Sequence, residues 1–295
     1  MKVLITGANG LLGHELVNAL LQKNYQVIAT SKGPNRLPVY STPDFLYENL
    51  DITDGMASNT IVNNHRPDVI IHAAAMTQVD DCEQNKIDCY NINVTATRFL
   101  IDASKEIKAK FVYVSTDFIF DGLTGPYKEE DEPKPLNYYG SSKLSAETEV
   151  RESGLEWSIV RTVLVIGKSD STRNNIISWV KDKLSKGEKI KVVDDQFRTP
   201  TFTEDLAKGI LLVLEKKATG IFHISGKDLL TPYQIALKAA EHFHLNKSLI
   251  EKADATSFSQ PALRPPRTGF YIDKARNELG YEPISFDEGL KKFFP

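Results

Sequence analysis

The chain has 295 residues, 41% of them hydrophobic and 25% charged, with a formal net charge of -3. That composition carries no basic footprint, which argues against nucleic acid as a partner, and no apolar run approaches the roughly 18–20 residues that a bilayer-spanning helix needs. The length suits one large domain or two that share a core, and the two cysteines, Cys82 and Cys89, match neither a metal knuckle nor a redox motif, so they read as reduced thiols of a cytoplasmic protein.

Lys2–Thr6 already reads as a buried strand, which leaves no room for a leader peptide. Thr6-Gly-Ala-Asn-Gly-Leu-Leu-Gly13 follows at once, and Leu12, Leu16, Val17, Leu20 and Leu21 then recur at helical spacing. Strand, glycine turn and amphipathic helix together make a phosphate-binding unit. Gly7 is expected to allow the tight turn, Gly10 the close approach of a pyrophosphate and Gly13 the packing of helix on strand. The start of the helix, around Asn9, Leu11 and Leu12, offers unpaired N–H groups and a partial positive charge to an anion.

A second strand, Gln26–Thr30, leads to Ser31, Lys32 and Arg36, with no carboxylate where one would take a ribose 2′-hydroxyl. Basic residues there accommodate a 2′-phosphate, which makes NADP(H) the preferred cofactor and NAD(H) the second choice; the alternative is that Lys32 and Arg36 are solvated loop charges. After a short strand at Phe45–Tyr47, Asp51 and Ile52 are placed to meet an adenine ring, unless Asp51 merely caps the next turn. Val69–Ala73 is a buried parallel strand, and Ala73, Ala74 and Ala75 at its end leave space for a cofactor. His72 reads as a core histidine. A helix is expected from Thr77 through Asn93, and the strand Phe111–Ser115 then delivers Thr116 and Asp117.

Trp157–Arg161 supplies a sixth strand and Ile221–Ser225 a seventh, with a helix around Leu206–Leu214 between them. Strands alternating with helices predict an α/β fold: a Rossmann-type, doubly wound parallel sheet with a smaller C-terminal substrate lobe. Residues 1–162 plus 199–226 form the dinucleotide-binding domain, and 163–198 plus 227–295 the lobe. The Pro- and Ser-rich stretch Ala255–Thr268 reads as a long loop over the site. Asp273 starts the last helix and Gly280 closes it.

Tyr139-Gly-Ser-Ser-Lys143 sets a phenol and an ammonium four residues apart, on one face of a helix. A neighbouring ammonium favours the phenolate and is expected to lower the tyrosine pKa toward useful acid/base chemistry. Alone, such a pair is as compatible with a solvated surface pair.

The motifs T-G-A-N-G-L-L-G, D-I-T-D, H-A-A-A, S-T-D-F-I-F-D-G, P-L-N-Y-Y-G-S-S-K and R-P-P-R-T together resemble the extended short-chain dehydrogenase/reductase superfamily, and within it the dTDP-4-dehydrorhamnose reductase group. The resemblance runs from residue 2 to about residue 281. It implies that Tyr139 protonates a carbonyl oxygen and that Thr116 hydrogen-bonds that oxygen. It implies also that Lys143 tunes the tyrosine and holds the nicotinamide ribose, with Val163 completing the cofactor set and Thr77 the substrate set. The expected reaction is reduction of the 4-keto group of a nucleotide-diphospho-6-deoxy sugar. A homodimer, bridged in some relatives by Mg²⁺, is what the resemblance allows.

Two departures stand out. Leu164 occupies the place where the group carries an aromatic sugar contact. Arg198 replaces a glycine, seven residues before Asp205-Leu-Ala, where epimerases of the superfamily place an arginine that grips a diphosphate. Arg198 and Arg264 are therefore expected to hold the substrate's diphosphate through guanidinium forks, unless Arg198 is a surface residue. One alternative is an epimerase or dehydratase with retained NAD, although Phe118 follows Asp117 where dehydratases place a second acid. The other is a non-catalytic regulatory subunit like the methionine adenosyltransferase β-subunit.

Overall fold

The computed structural model describes residues 1–38, 40, 42–168 and 175–295. Seven parallel strands form the central sheet: β1 (Lys2–Thr6), β2 (Gln26–Ser31), β3 (Phe45–Asn49), β4 (Val69–His72), β5 (Lys110–Thr116), β6 (Trp157–Thr162) and β7 (Gly220–His223). Their spatial order is β7-β6-β5-β4-β1-β2-β3. The order reverses between β1 and β4, the switch point at whose carboxyl ends open α/β sheets bind ligands. β1 and β4 are apolar and almost wholly buried because helices cover both faces.

On one face Leu16, Val17 and Leu20 of helix Leu11–Gln22 pack with Leu206, Ile210 and Val213 of helix Thr203–Glu215. On the other, Leu4, Ile70 and Phe111 meet Leu100 and Ile101 of helix Ala96–Ile107 and Val150 of helix Tyr138–Arg151. A separate core joins Ile177, Val180, Val192, Phe202, Ile235 and Leu290; beside it the short strand Ile190–Val193 pairs in parallel with Ile250–Ala253. Ile272, Ala275, Leu279 and Tyr281, assigned above to the lobe, bury instead into the sheet-side core.

Three expectations about elements change. The single helix from Thr77 to Asn93 is instead Val79–Gln84, Lys86–Tyr90 and a π-helical turn at Asn91–Thr95 that runs into Ala96–Ile107. Asn93 explains the turn, because its side chain is drawn inward to bond the Met76 backbone and the Ser142 hydroxyl. Gly280 does close the segment begun at Asp273, with φ of 71°, but that segment is not the last helix. Phe286–Phe293 follows, started by a reciprocal Ser285/Glu288 cap.

Candidate active site

The glycine turn links β1 to the first helix and faces the end of β4 across the switch point. Gly7 adopts φ of 75°, and a Cβ there would lie 2.8 Å from the Ala74 backbone nitrogen. At Gly13 a Cβ would come within 2.4 Å of the Gly7 carbonyl oxygen, so the helix can lie on the turn only without a side chain. Gly10 is different: a Cβ would meet nothing but the Gly7 carbonyl oxygen, at 3.1 Å. The space in front of Gly10, with the unbonded first N–H groups at Leu11 and Leu12 beside it, fits a pyrophosphate. Asn9 braces this corner, donating to the Pro34 carbonyl at 2.9 Å and accepting from the Arg36 backbone N–H at 3.0 Å. Ala73, Ala74 and Ala75 line the loop after β4, with Ala74 N–H donating to the Thr6 hydroxyl. Behind them His72 is buried between the Thr6 and Thr97 hydroxyls and held down to about 3 by burial; it is a core histidine.

Thr116 ends β5 and Tyr139 begins the helix Tyr138–Arg151. That helix starts on an Asn137 cap whose side chain accepts from Gly140 N–H and donates to the Leu263 carbonyl. A Cβ on Gly140 would sit 2.0 Å from the Phe118 carbonyl oxygen. The glycine of Tyr-Gly-Ser-Ser-Lys is thus what lets the helix settle on the turn that carries Thr116. The Thr116 hydroxyl donates to Asp117 at 3.2 Å, and the Phe118 ring two residues on meets the Tyr139 ring edge to face at 6.0 Å between centres. Lys143 lies one turn along, donating to the Val114 carbonyl at 2.8 Å with its ammonium 4.1 Å from the Tyr113 ring centre.

The electrostatics differ from expectation. Burial pushes the Tyr139 phenol well above its ordinary value, and the Thr116 hydrogen bond offsets this only in part. Burial also pulls Lys143 down to about 7, opposed by the Glu147 carboxylate one turn further on. The lysine does not depress the phenol here, because its own charge is spent on a carbonyl and a ring face and penalised by the same dry surroundings.

Beyond the end of β2 the chemistry is exposed. Lys32 pairs with Asp51 at 2.7 Å, and Asp51 also accepts from the Thr53 hydroxyl and N–H, which closes the Asp51–Asp54 turn. Lys32 and Thr53 hold the Asp51 carboxyl down to about 2. Ile52 is buried beside Leu50 and Ile61, Ser31 caps the end of β2, and Arg36 is exposed and makes no ion pair among the described residues.

The lobe-side residues sit otherwise than expected. Thr77 is exposed in the loop after Ala75. Val163 is fully buried in a cluster with Phe120, Tyr127 and Phe270, where only its carbonyl is polar, accepting from Thr201. Arg198 is neither a free fork nor a surface residue. It is 5% exposed and gives its NH2 to the Pro265 carbonyl at 2.7 Å and NH1 to the Phe197 carbonyl at 2.8 Å, with Nε 3.7 Å from Asp117. Arg264 is clamped by both oxygens of Asp80, at 2.9 and 2.6 Å. The pair that should grip a diphosphate therefore ties the loop 262–268 to the sheet. Leu164 is partly exposed and takes φ of 36°, a backbone state that branched side chains rarely adopt.

Several residues escaped the sequence reading. Glu147 and Arg161 form a buried bidentate pair beneath the helix Tyr138–Arg151. Cys82 and Cys89, both free and buried, lie in one cluster with Tyr139. Thr268 donates to Asp117 from 151 positions away. Only Asp117 carried a signal, its place beside Thr116. The Mg²⁺ expectation finds no support: among the described residues no group of three or more His, Cys, Asp or Glu could hold an ion. No helix among them is long and apolar enough to cross a membrane.

The family model for the RmlD substrate binding domain matches residues 1–295. A probable low-salt glycan biosynthesis reductase of Haloferax volcanii is 31% identical over 293 residues, covering 98% of this chain and 96% of that protein. The methionine adenosyltransferase 2 subunit beta of Bos taurus is 32% identical over 253 residues, covering 84% and 73%. Among solved structures, a dTDP-4-dehydrorhamnose reductase from Bacillus anthracis in complex with NADP superposes with a TM-score of 0.87 at 31% identity, covering 99% of this chain and 98% of that one.

Proposed function

The chain belongs to the RmlD substrate binding domain family, and from that premise we propose that it reduces the 4-keto group of a nucleotide-diphospho-6-deoxy sugar with NADPH. The observation that carries this reading is that Tyr139 and Lys143 share a buried helix face, which Gly140 lets settle on the turn that follows Thr116. When bound, the nicotinamide supplies the hydride. Tyr139, kept protonated by its dry site, gives its proton to the carbonyl oxygen as charge develops there. Thr116 hydrogen-bonds the same carbonyl oxygen and orients it. Lys143 reaches the ribose hydroxyls, and the Gly10 corner with Leu11 and Leu12 holds the pyrophosphate. Lys32 and Arg36 face the 2′-phosphate, with Asp51 and Ile52 beside the adenine. The lobe, 163–198 plus 227–295, covers the sugar, with Thr77 and Leu164 at its edge. A cytoplasmic homodimer completes the proposal.

The test is a panel of nucleotide-linked 4-keto sugars, followed by loss of NADPH absorbance. Tyr139→Phe should lower kcat by about 10²–10⁴ with NADPH affinity unchanged; near-normal turnover by that variant would end the assignment. Net consumption of NADPH separates a reductase from an epimerase or dehydratase with retained NAD. The likeness to the Bos taurus subunit favours a second reading, a regulatory subunit, which co-purification with a synthetase and inactivity on the whole panel would support.

A further inference from the structure

Three contacts that the reductase reading leaves unused close into a ring at the start of the helix Tyr138–Arg151. Asp80 takes Arg264 with both oxygens, at 2.9 and 2.6 Å, and accepts a third bond from Ala262 N–H at 3.1 Å. Three residues on, and so on the same side of the short helix Val79–Gln84, Glu83 accepts from Tyr138 N–H at 2.9 Å, while Lys86 holds its other oxygen at 3.0 Å. Asn137, whose side chain caps the helix Tyr138–Arg151, donates back to the Leu263 carbonyl at 2.8 Å. Loop 262–264, short helix and helix start therefore hold one another in a circle.

Val79 and Cys82, also three apart, turn a neighbouring side of the short helix to Tyr139, with which they share a buried cluster. A helix of six residues has little stability of its own, so its place is set by what it touches. It is a wall beside Tyr139, fixed to the helix start at Glu83 and to the loop at Asp80. A further bond from NH1 to the Ala262 carbonyl, at 2.8 Å, keeps Arg264 folded back on its own loop.

Resting on the reductase reading, we propose that Asp80 is a positioning residue for the proton donor: with Arg264 it locks loop 262–264 against the helix Val79–Gln84, and that helix sets where Tyr139 stands. No covalent bond is made or broken in this role. Its effect is geometric, because a displacement of about 1 Å at a reacting group can cost about a hundredfold in rate. The lock is also the part of the ring that opens without unfolding the chain. Its side chains are 17% and 36% exposed, and an ion pair in contact with water contributes little to stability.

The first arm of the test uses the full-length chain and whichever 4-keto sugar of the panel is reduced. Asp80→Asn and Arg264→Gln should each lower kcat by about ten- to a hundredfold, with NADPH affinity and the urea midpoint unchanged. The double variant should be no slower than the slower single one, since both break the same contact. An unchanged kcat in both single variants overturns the proposal. So does a sugar KM that rises in Arg264→Gln and falls in Asp80→Asn, which would make Arg264 a substrate ligand that Asp80 merely occupies.

The second arm needs neither cofactor nor turnover. Amide hydrogen exchange is followed at Tyr138, which donates to Glu83, and at Gly140, which donates to Asn137. Asp80→Asn and Arg264→Gln should each speed exchange at both positions, about tenfold, while the amides of β1 stay as protected as in the parent chain. Glu83→Ala gives the upper limit for Tyr138. Unchanged exchange at both positions overturns the proposal. If exchange quickens while no sugar in the panel consumes NADPH, the reductase reading falls and the lock between loop and helix start stands. If a sugar is reduced but the variants match the parent in kcat and in exchange, the lock falls and the reductase reading stands.

Discussion

Two regions of the molecule, beneath the helix Tyr138–Arg151 and beyond the end of β2, hold ion pairs of the same length and opposite consequence. Beneath the helix Tyr138–Arg151, Arg161 grips Glu147 with Nε at 3.0 Å and NH2 at 2.7 Å, and the side chains are 2% and 1% exposed. At the other end Lys32 reaches Asp51 at the same 2.7 Å, but the lysine side chain is 80% exposed. Distance does not distinguish them; burial does. A buried pair is fixed because neither partner can return to water alone, whereas an exposed pair contributes little and exchanges readily. The Arg161–Glu147 pair is therefore built to stay still, and the Lys32–Asp51 pair is free to trade partners with an arriving anion.

The largest effect should come from breaking the fixed end. Arg161→Met leaves Glu147 buried without a partner and should cost about 3–5 kcal/mol of stability, read by urea unfolding. Arg161→Met combined with Glu147→Leu should recover much of that loss. If the single variant costs under about 1 kcal/mol, the buried end is no more rigid than the exposed one. A smaller effect concerns Lys143, which burial holds at about 7 in the folded chain against an ordinary 10.5. Between those values the unfolded chain binds the extra proton, so this group makes stability rise with pH through the window. Above the ordinary phenol value of 10 Tyr139, pushed up by burial, acts in the opposite direction. Unfolding measured from about pH 7 to 9.5 should show a rising slope in the parent chain that Lys143→Met abolishes; parallel slopes would refute the burial argument.

The same contrast explains what the sequence makes legible. The glycine turn and the Tyr139–Lys143 pair are local, so spacing alone reports that Gly7 bends, that Gly13 packs and that two polar ends share a helix face. The Ser285/Glu288 cap is equally local, three residues apart, but Gly280 as a terminator hides the helix that the cap begins. Asp117 with Thr268, Asp80 with Arg264 and Arg198 with Pro265 join segments 151, 184 and 67 positions apart. No periodicity records such contacts. The resemblance to epimerases assigns Arg198 to a diphosphate, yet the fold spends its donors on the Phe197 and Pro265 carbonyls, the second in a loop whose position no spacing could give. The break of the Thr77–Asn93 helix has a similar origin, since Asn93 leaves helical register to satisfy Met76 and Ser142.

The smallest effect sharpens the comparison from the exposed side. If Lys32 is a partner on loan from Asp51, then a 2′-phosphate competes with that carboxylate for it. Lys32→Ala and Arg36→Ala should each weaken NADPH binding by about tenfold, roughly 1.4 kcal/mol, while NADH binding and stability change by less than about 0.5 kcal/mol. Asp51→Asn should do the opposite and tighten NADPH binding several-fold, because the lysine no longer has an internal anion to leave. Fluorescence titrations at low and high ionic strength check both, and the differences should shrink with salt as exposed charges are screened. Equal affinity for the two cofactors in every variant would mean that Lys32 and Asp51 are only a solvated pair.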